Sequence, residues 1–127
     1  MRMALDTNRY RDFCEGDPEV VHRVKRAEHL YLPLPVVAEL RAGFACGTMA
    51  RKNEAVLNRF LNESRVSVLP LDEATCFLYA RLFKQLREQG TPIPTNDLWI
   101  AALVEQHNLL LYTRDGHFKH LPQLPLL

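Results

Sequence analysis

Thr95-Asn96-Asp97-Leu98-Trp99-Ile100-Ala101-Ala102 decides how the rest of the chain is read, because an acidic residue opens a strongly apolar helix there. Counting from Asp97, residues Ile100, Ala101 and Val104 fall at i+3, i+4 and i+7, on one face of a helix with 3.6 residues per turn. The carboxylate therefore points with the buried stripe. An ionised group removed from water needs a compensating partner, since burying an unpaired charge is very costly. Three more acids, Asp6, Glu39 and Asp115, follow or border apolar segments from which they would converge on the same point. Four carboxylates in one place repel one another, and the usual physical reason to gather them is a divalent cation.

Working outward, the 127 residues are 47% hydrophobic and 24% charged, which fits one compact globular domain over residues 1–127. No apolar run approaches the roughly 18 residues of a membrane span, and Met1 to Asp6 lacks the apolar core of a secretory signal. A cytoplasmic protein without a membrane segment is the expectation. Cys14, Cys46 and Cys76 are odd in number and far apart, which points to buried free thiols instead of a zinc or redox pair. A net charge of +1 excludes a strongly basic nonspecific nucleic-acid binder, so any nucleic-acid contact is local.

Short apolar runs alternate with helical patterns along the chain. Arg2 to Leu5 reads as a strand, with Asp6-Thr7-Asn8 as a turn into a brief helix over Arg9 to Glu15. Asp17-Pro18 is an N-cap followed by proline, opening a helix to about Glu28. A strand over Leu30 to Leu34 precedes a helix from Pro35 to about Cys46, with Val36, Leu40 and Gly43 facing inward and Glu39 about 60° from that line. Gly47 breaks this helix, and Thr48 is placed to cap the next. Val66 to Pro70 is a third strand, Asp72 caps a long helix ended by Gly90, Leu109 to Tyr112 is a fourth strand, and Leu124 to Leu127 offers a last edge strand. Alternation of this kind implies an α/β fold, a mainly parallel sheet of four to five strands flanked by helices. Ligands in such sheets bind beyond the carboxyl ends of the strands, near the point where strand order reverses. Asp6 and Asp115 follow two of the strands, while Glu39 and Asp97 lie near the N-terminal ends of helices on that side.

Hard oxygen ligands suit Mg2+ or Mn2+, which lower the pKa of bound water and neutralise charge on a phosphodiester. Asn8 and Thr113 are placed to orient the ligating carboxylates or the substrate, and Arg9 and Arg114 flank the acids with positive charge for phosphates. Each acid has an ordinary reading as a cap, turn or solvated residue, and only the joint placement favours a metal centre. His117 and His120 form no His-Glu-x-x-His, so the histidines read as surface or partly packed imidazoles. Trp99 and Tyr112 read as core.

Leu5-Asp6-Thr7-Asn8, Ala38-Glu39-Leu40-Arg41-Ala42-Gly43, Asn96 to Ala102 and Tyr112-Thr113-Arg114-Asp115-Gly116-His117-Phe118 resemble, in order, the four signature blocks of PIN-domain nucleases, and in particular the VapC toxins of toxin–antitoxin pairs. The resemblance covers nearly the whole chain. It implies a PIN-like three-layer sandwich, a Mg2+- or Mn2+-dependent endoribonuclease, a homodimer, and a VapB-type antitoxin whose C-terminal segment occupies the active-site groove. By position, Asp6 and Asp97 would be the principal metal ligands. Asp115 would complete the site directly or through water, and Glu39 would position metal or activate water. Gly116-His117 stands where many relatives carry other polar residues. A haloacid-dehalogenase-like phosphatase would want a second Asp where Asn8 stands. A catalytically idle PIN-fold module that binds RNA or protein is the other alternative.

Overall fold

A computed structural model describes residues 1–127. Four strands form one sheet: β1 (Arg2–Leu5), β2 (His29–Pro33), β3 (Val66–Leu69) and β4 (Leu110–Tyr112). Their order is β3-β2-β1-β4, and every pairing is parallel. The chain lays strands outward from β1 on one side and returns to add β4 on the other, so strand order reverses between β1 and β4. Six helices fill the crossovers: α1 (Thr7–Cys14), α2 (Pro18–Arg26), α3 (Leu34–Cys46), α4 (Ala50–Leu61), α5 (Glu73–Gln89) and α6 (Thr95–Gln106). A short 3-10 turn, Gly116–His120, follows β4.

Local signals account for most boundaries. Asp17 accepts from the backbone N–H groups of Glu19 and Val20 with Pro18 behind it, and Asp72 and Thr75 form a reciprocal capping box at the start of α5. Gly90 ends α5 at φ 73°, a left-handed conformation that costs a glycine little. Thirty buried residues make one continuous core, into which α6 inserts Leu98, Ile100, Ala101, Ala102, Leu103 and Val104. Fully burying a Leu, Ile or Val side chain contributes about 1.5–3 kcal/mol. The four large side chains of α6 together offset the penalty of several kcal/mol for holding an acid out of water.

Several sequence expectations are corrected. Helix α6 begins at Thr95, two residues before Asp97, which therefore sits within the first turn instead of opening the helix. Helices α1 and α3 likewise start earlier, at Thr7 and Leu34, because Asp6 caps one and Pro33 precedes the other. Thr48 does not cap α4; it lies in the bend after α3, and Met49 holds the capping position without a side-chain bond. Leu124 to Leu127 forms only an isolated parallel bridge, Leu126 with Leu111, because Pro122 and Pro125 have no N–H to extend a ladder. The sheet thus has four strands. All three cysteines are exposed: Cys14 and Cys46 end their helices, and Cys76 lies about 200° around α5 from the inward Leu78. Tyr112 is core, whereas Trp99 is half-buried with its ring 4.2 Å from that of Tyr79. No helix is long and apolar enough to cross a membrane.

Candidate active site

Asp6 and Asp115 leave the carboxyl ends of the neighbouring strands β1 and β4, one on each side of the reversal in strand order. Tyr112 O accepts from Asp6 N at 3.0 Å, which ties the two strand ends together. The Asp6 side chain, 4% exposed, accepts from Thr7 N at 2.8 Å through Oδ1 and from the Thr113 hydroxyl at 2.6 Å through Oδ2. That same hydroxyl accepts from Asp115 N at 2.9 Å. Thr113 thus joins the first acid to the loop that carries the last. Arg114 N donates to Asn8 Oδ1 at 3.1 Å, a second stitch between the loop and α1.

Asp97 enters from the first turn of α6, 8% exposed, and Glu39 from α3. The four acids feel one another. Burial raises the pKa of Asp97 above the ordinary carboxylate range, as does repulsion from Asp115 and Asp6, against a lowering hydrogen bond from His117. Burial also raises Asp6, and Asp115 adds to it, while the Thr113 hydrogen bond pulls the other way. Glu39 is raised by burial and by repulsion from Asp6 and Asp97. Its Oε1 is buried without a hydrogen-bond partner. The Thr7 hydroxyl beside it is likewise buried without a partner and lowers the Glu39 pKa, against the larger effects of burial and of Asp6 and Asp97. An all-oxygen donor set of this kind suits a hard divalent cation, so the residues present fit Mg2+ or Mn2+.

The expected substrate contacts take a different form. Arg9 and Arg114 are not unpaired; both pair with Asp12 Oδ2, at 3.1 Å each, Arg114 from an exposed position, and the Arg9 guanidinium stacks 4.6 Å from the Tyr112 ring centroid. Asn8 is engaged by the Arg114 backbone, and Thr113 by Asp6. Arg41 pairs with Glu54 of α4 at 3.0 Å.

Two further residues, not singled out by the sequence as site residues, border these acids. Asp12 carries no motif, and only its i+3 spacing from Arg9 hints at its role. His117 is a partly exposed imidazole as the sequence suggests, and its Nδ1 lies 2.9 Å from Asp97 Oδ2 and 2.9 Å from Asp115 Oδ1. Ligand atoms of Asp97, Asp115 and His117 all lie within 4.8 Å of one another. The available signal was the place of His117 two residues after Asp115.

The model of the PIN domain matches residues 3–124. This chain belongs to the PIN domain family. Among curated relatives of this PIN protein, Toxin FitB of Neisseria gonorrhoeae is 36% identical over 93 residues, which cover 69% of this chain and 66% of FitB. Ribonuclease VapC1 of Haemophilus influenzae is 32% identical over 119 residues, covering 91% of this chain and 87% of VapC1. Among solved structures, the VapBC2 complex of Rickettsia felis bound to a promoter DNA fragment contains a chain that superposes at a TM-score of 0.87 with 27% identity, covering 100% of this chain and 98% of that one. The α/β sandwich expected from the sequence is therefore the PIN fold seen in VapBC complexes, and the relatives are ribonucleases and toxins.

Proposed function

We propose that this PIN-domain protein is a toxin-type endoribonuclease that hydrolyses RNA phosphodiester bonds with the help of Mg2+ or Mn2+ and is neutralised by a VapB-type antitoxin. The observation that carries the reading is that ligand atoms of Asp97, Asp115 and His117 lie within 4.8 Å of one another, with Asp6 and Glu39 near enough for charge repulsion to raise carboxyl pKa values in the same group. The likeness to VapC ribonucleases supplies RNA as the substrate class.

Asp6, Asp97 and Asp115 would hold the ion. When bound, a divalent cation activates water for attack and neutralises charge on the scissile phosphate. Thr113 keeps Asp6 Oδ2 oriented, so this carboxylate does not have to be ordered when the site fills. Glu39, with its raised pKa and its place beside Asp6 and Asp97, is suited to take a proton from the attacking water. Asn8 fixes the Arg114 backbone, and Asp12 fixes the Arg9 and Arg114 guanidinium groups at the rim, where phosphates would approach.

An open groove of about 480 Å3 between α1, α3 and α4 is lined by Tyr10, Arg11, Phe44, Lys52 and Val56. Arg11 is close enough to Glu39 to lower its pKa, so the groove adjoins the acids. Its mixture of aromatic and basic groups suits an antitoxin segment that reaches toward the site, the partner implied by the VapBC neighbours. Phe77 and Phe83 on α5, 72% and 51% exposed, support a homodimer that would cover large aromatic surface.

The test is incubation of pooled RNA with the purified protein with and without Mn2+. Metal-dependent fragments that vanish on chelation are the expected result. RNA retained without cleavage at saturating Mn2+ would instead identify an idle binding module.

A further inference from the structure

The geometry points to His117 as a nitrogen ligand of the same ion, which would make the centre a mixed nitrogen–oxygen site that favours Mn2+ over Mg2+. This rests on the metal-site reading above and concerns what the site selects. Asp115 caps the 3-10 turn Gly116–His120 by accepting from His117 N at 2.9 Å, so the carboxylate and the imidazole are set by one short turn. The turn brings Nδ1 to 2.9 Å from both Asp97 Oδ2 and Asp115 Oδ1.

The one Nδ1–H is shared between two carboxylate oxygens, so neither contact is an ideal linear hydrogen bond. In the metal-free site both 2.9 Å separations are hydrogen-bond lengths that hold the imidazole against the two carboxylates, and an ion that displaced the shared proton would find Nδ1 and both oxygens already side by side. The imidazole is 48% exposed, so no packing against the core forces it onto the acids. Its position follows from the turn and the two carboxylates.

Imidazole binds later first-row ions well, whereas Mg2+ strongly prefers oxygen, and affinities rise from Mn2+ onward along that row. Exchanging an oxygen position for the His117 nitrogen therefore shifts preference away from Mg2+.

The test uses the tag-free protein loaded with Mn2+. Pulsed electron paramagnetic resonance should show coupling of Mn2+ to an imidazole 14N nucleus. The coupling should disappear in His117→Asn, which keeps a polar oxygen of similar reach without the ring. Calorimetric titration should show Mn2+ binding to that variant weakened about tenfold or more, with Mg2+ binding much less changed. Mn2+ bound to wild type without nitrogen coupling, or with the same affinity in His117→Asn, would overturn the ligand assignment and leave the acidic site standing. Absence of Mn2+ binding to wild type would overturn both.

Discussion

The Thr113 hydroxyl donates to Asp6 Oδ2 at 2.6 Å across 107 positions of sequence, and the bond lies buried between the ends of β1 and β4. Thr113→Val keeps the shape but removes the donor to Asp6 and the acceptor for Asp115 N. Leaving both partners unsatisfied in a buried setting should cost about 1–3 kcal/mol. Chemical denaturation should show this loss, and the Asp6 pKa should rise further because the lowering hydrogen bond is gone. Serine, which restores the hydroxyl, should recover most of the stability.

Glu39 tests the division of labour among the acids. Glu39→Gln removes a charge repelled by Asp6 and Asp97 and keeps the shape, so the metal-free protein should remain folded with its thermal midpoint unchanged or slightly raised. RNA cleavage should fall about 100-fold or more if this carboxylate takes the water proton. Unchanged cleavage in a single-turnover assay would remove Glu39 from that role.

The pH dependence of stability follows from the same repulsion. Asp6, Glu39 and Asp97 have raised folded-state pKa values, burial being the largest cause for each. His117 is raised as well, chiefly by its hydrogen bond to Asp97. The folded chain therefore binds these protons more tightly than the unfolded chain, and stability is lost as pH rises through the raised values. Glu28 and Asp72 act oppositely. The N-terminal amine lowers one and the Thr75 backbone hydrogen bond lowers the other, so their contribution is lost only as pH falls below about 4. Without metal, the thermal midpoint should be higher at about pH 5.5 than at about pH 7.5. Saturating Mn2+ should reverse the trend, since ligands must shed protons to bind it. A metal-free midpoint that climbs steadily with pH over that range would count against the pairing of His117 with Asp97.

Asp12 separates a structural charge from a surface one. Its carboxylate holds Arg9, 22% exposed, and Arg114, 56% exposed. Asp12→Ala strips the partner from a largely buried guanidinium and should cost about 1–3 kcal/mol. Arg114→Ala removes the more exposed partner and should cost under about 1 kcal/mol. Equal losses in urea melts would mean that Arg114 does more than rest on the surface.

Strands and most helix caps were legible because they depend on neighbours in sequence: the apolar runs of β1 and β4, Asp17 before Pro18, and Gly90 in its left-handed turn. Asp97 was legible because its burial follows from the helical period shared with Ile100, Ala101 and Val104. What escaped depends on contacts that no local pattern encodes. The partners of Asp12 include Arg114 from the far end of the chain, and His117 is aimed by a five-residue 3-10 turn whose side-chain directions differ from those of an α-helix. Cys14, Cys46 and Cys76 were misplaced because composition alone says nothing of which side of a helix a thiol occupies.

The central claim, that these acids form a divalent-cation site, is tested most directly by the thermal midpoint of wild type and Asp97→Asn with and without Mn2+. A site filled to ten times its dissociation constant stabilises the fold by about 1.4 kcal/mol. For a domain of this length that corresponds to a shift of roughly 3–6 °C. A saturable rise of this size in wild type, lost in a folded Asp97→Asn whose metal-free midpoint is equal or slightly higher, is the predicted result. No rise in wild type, or the same rise in both proteins, would contradict it.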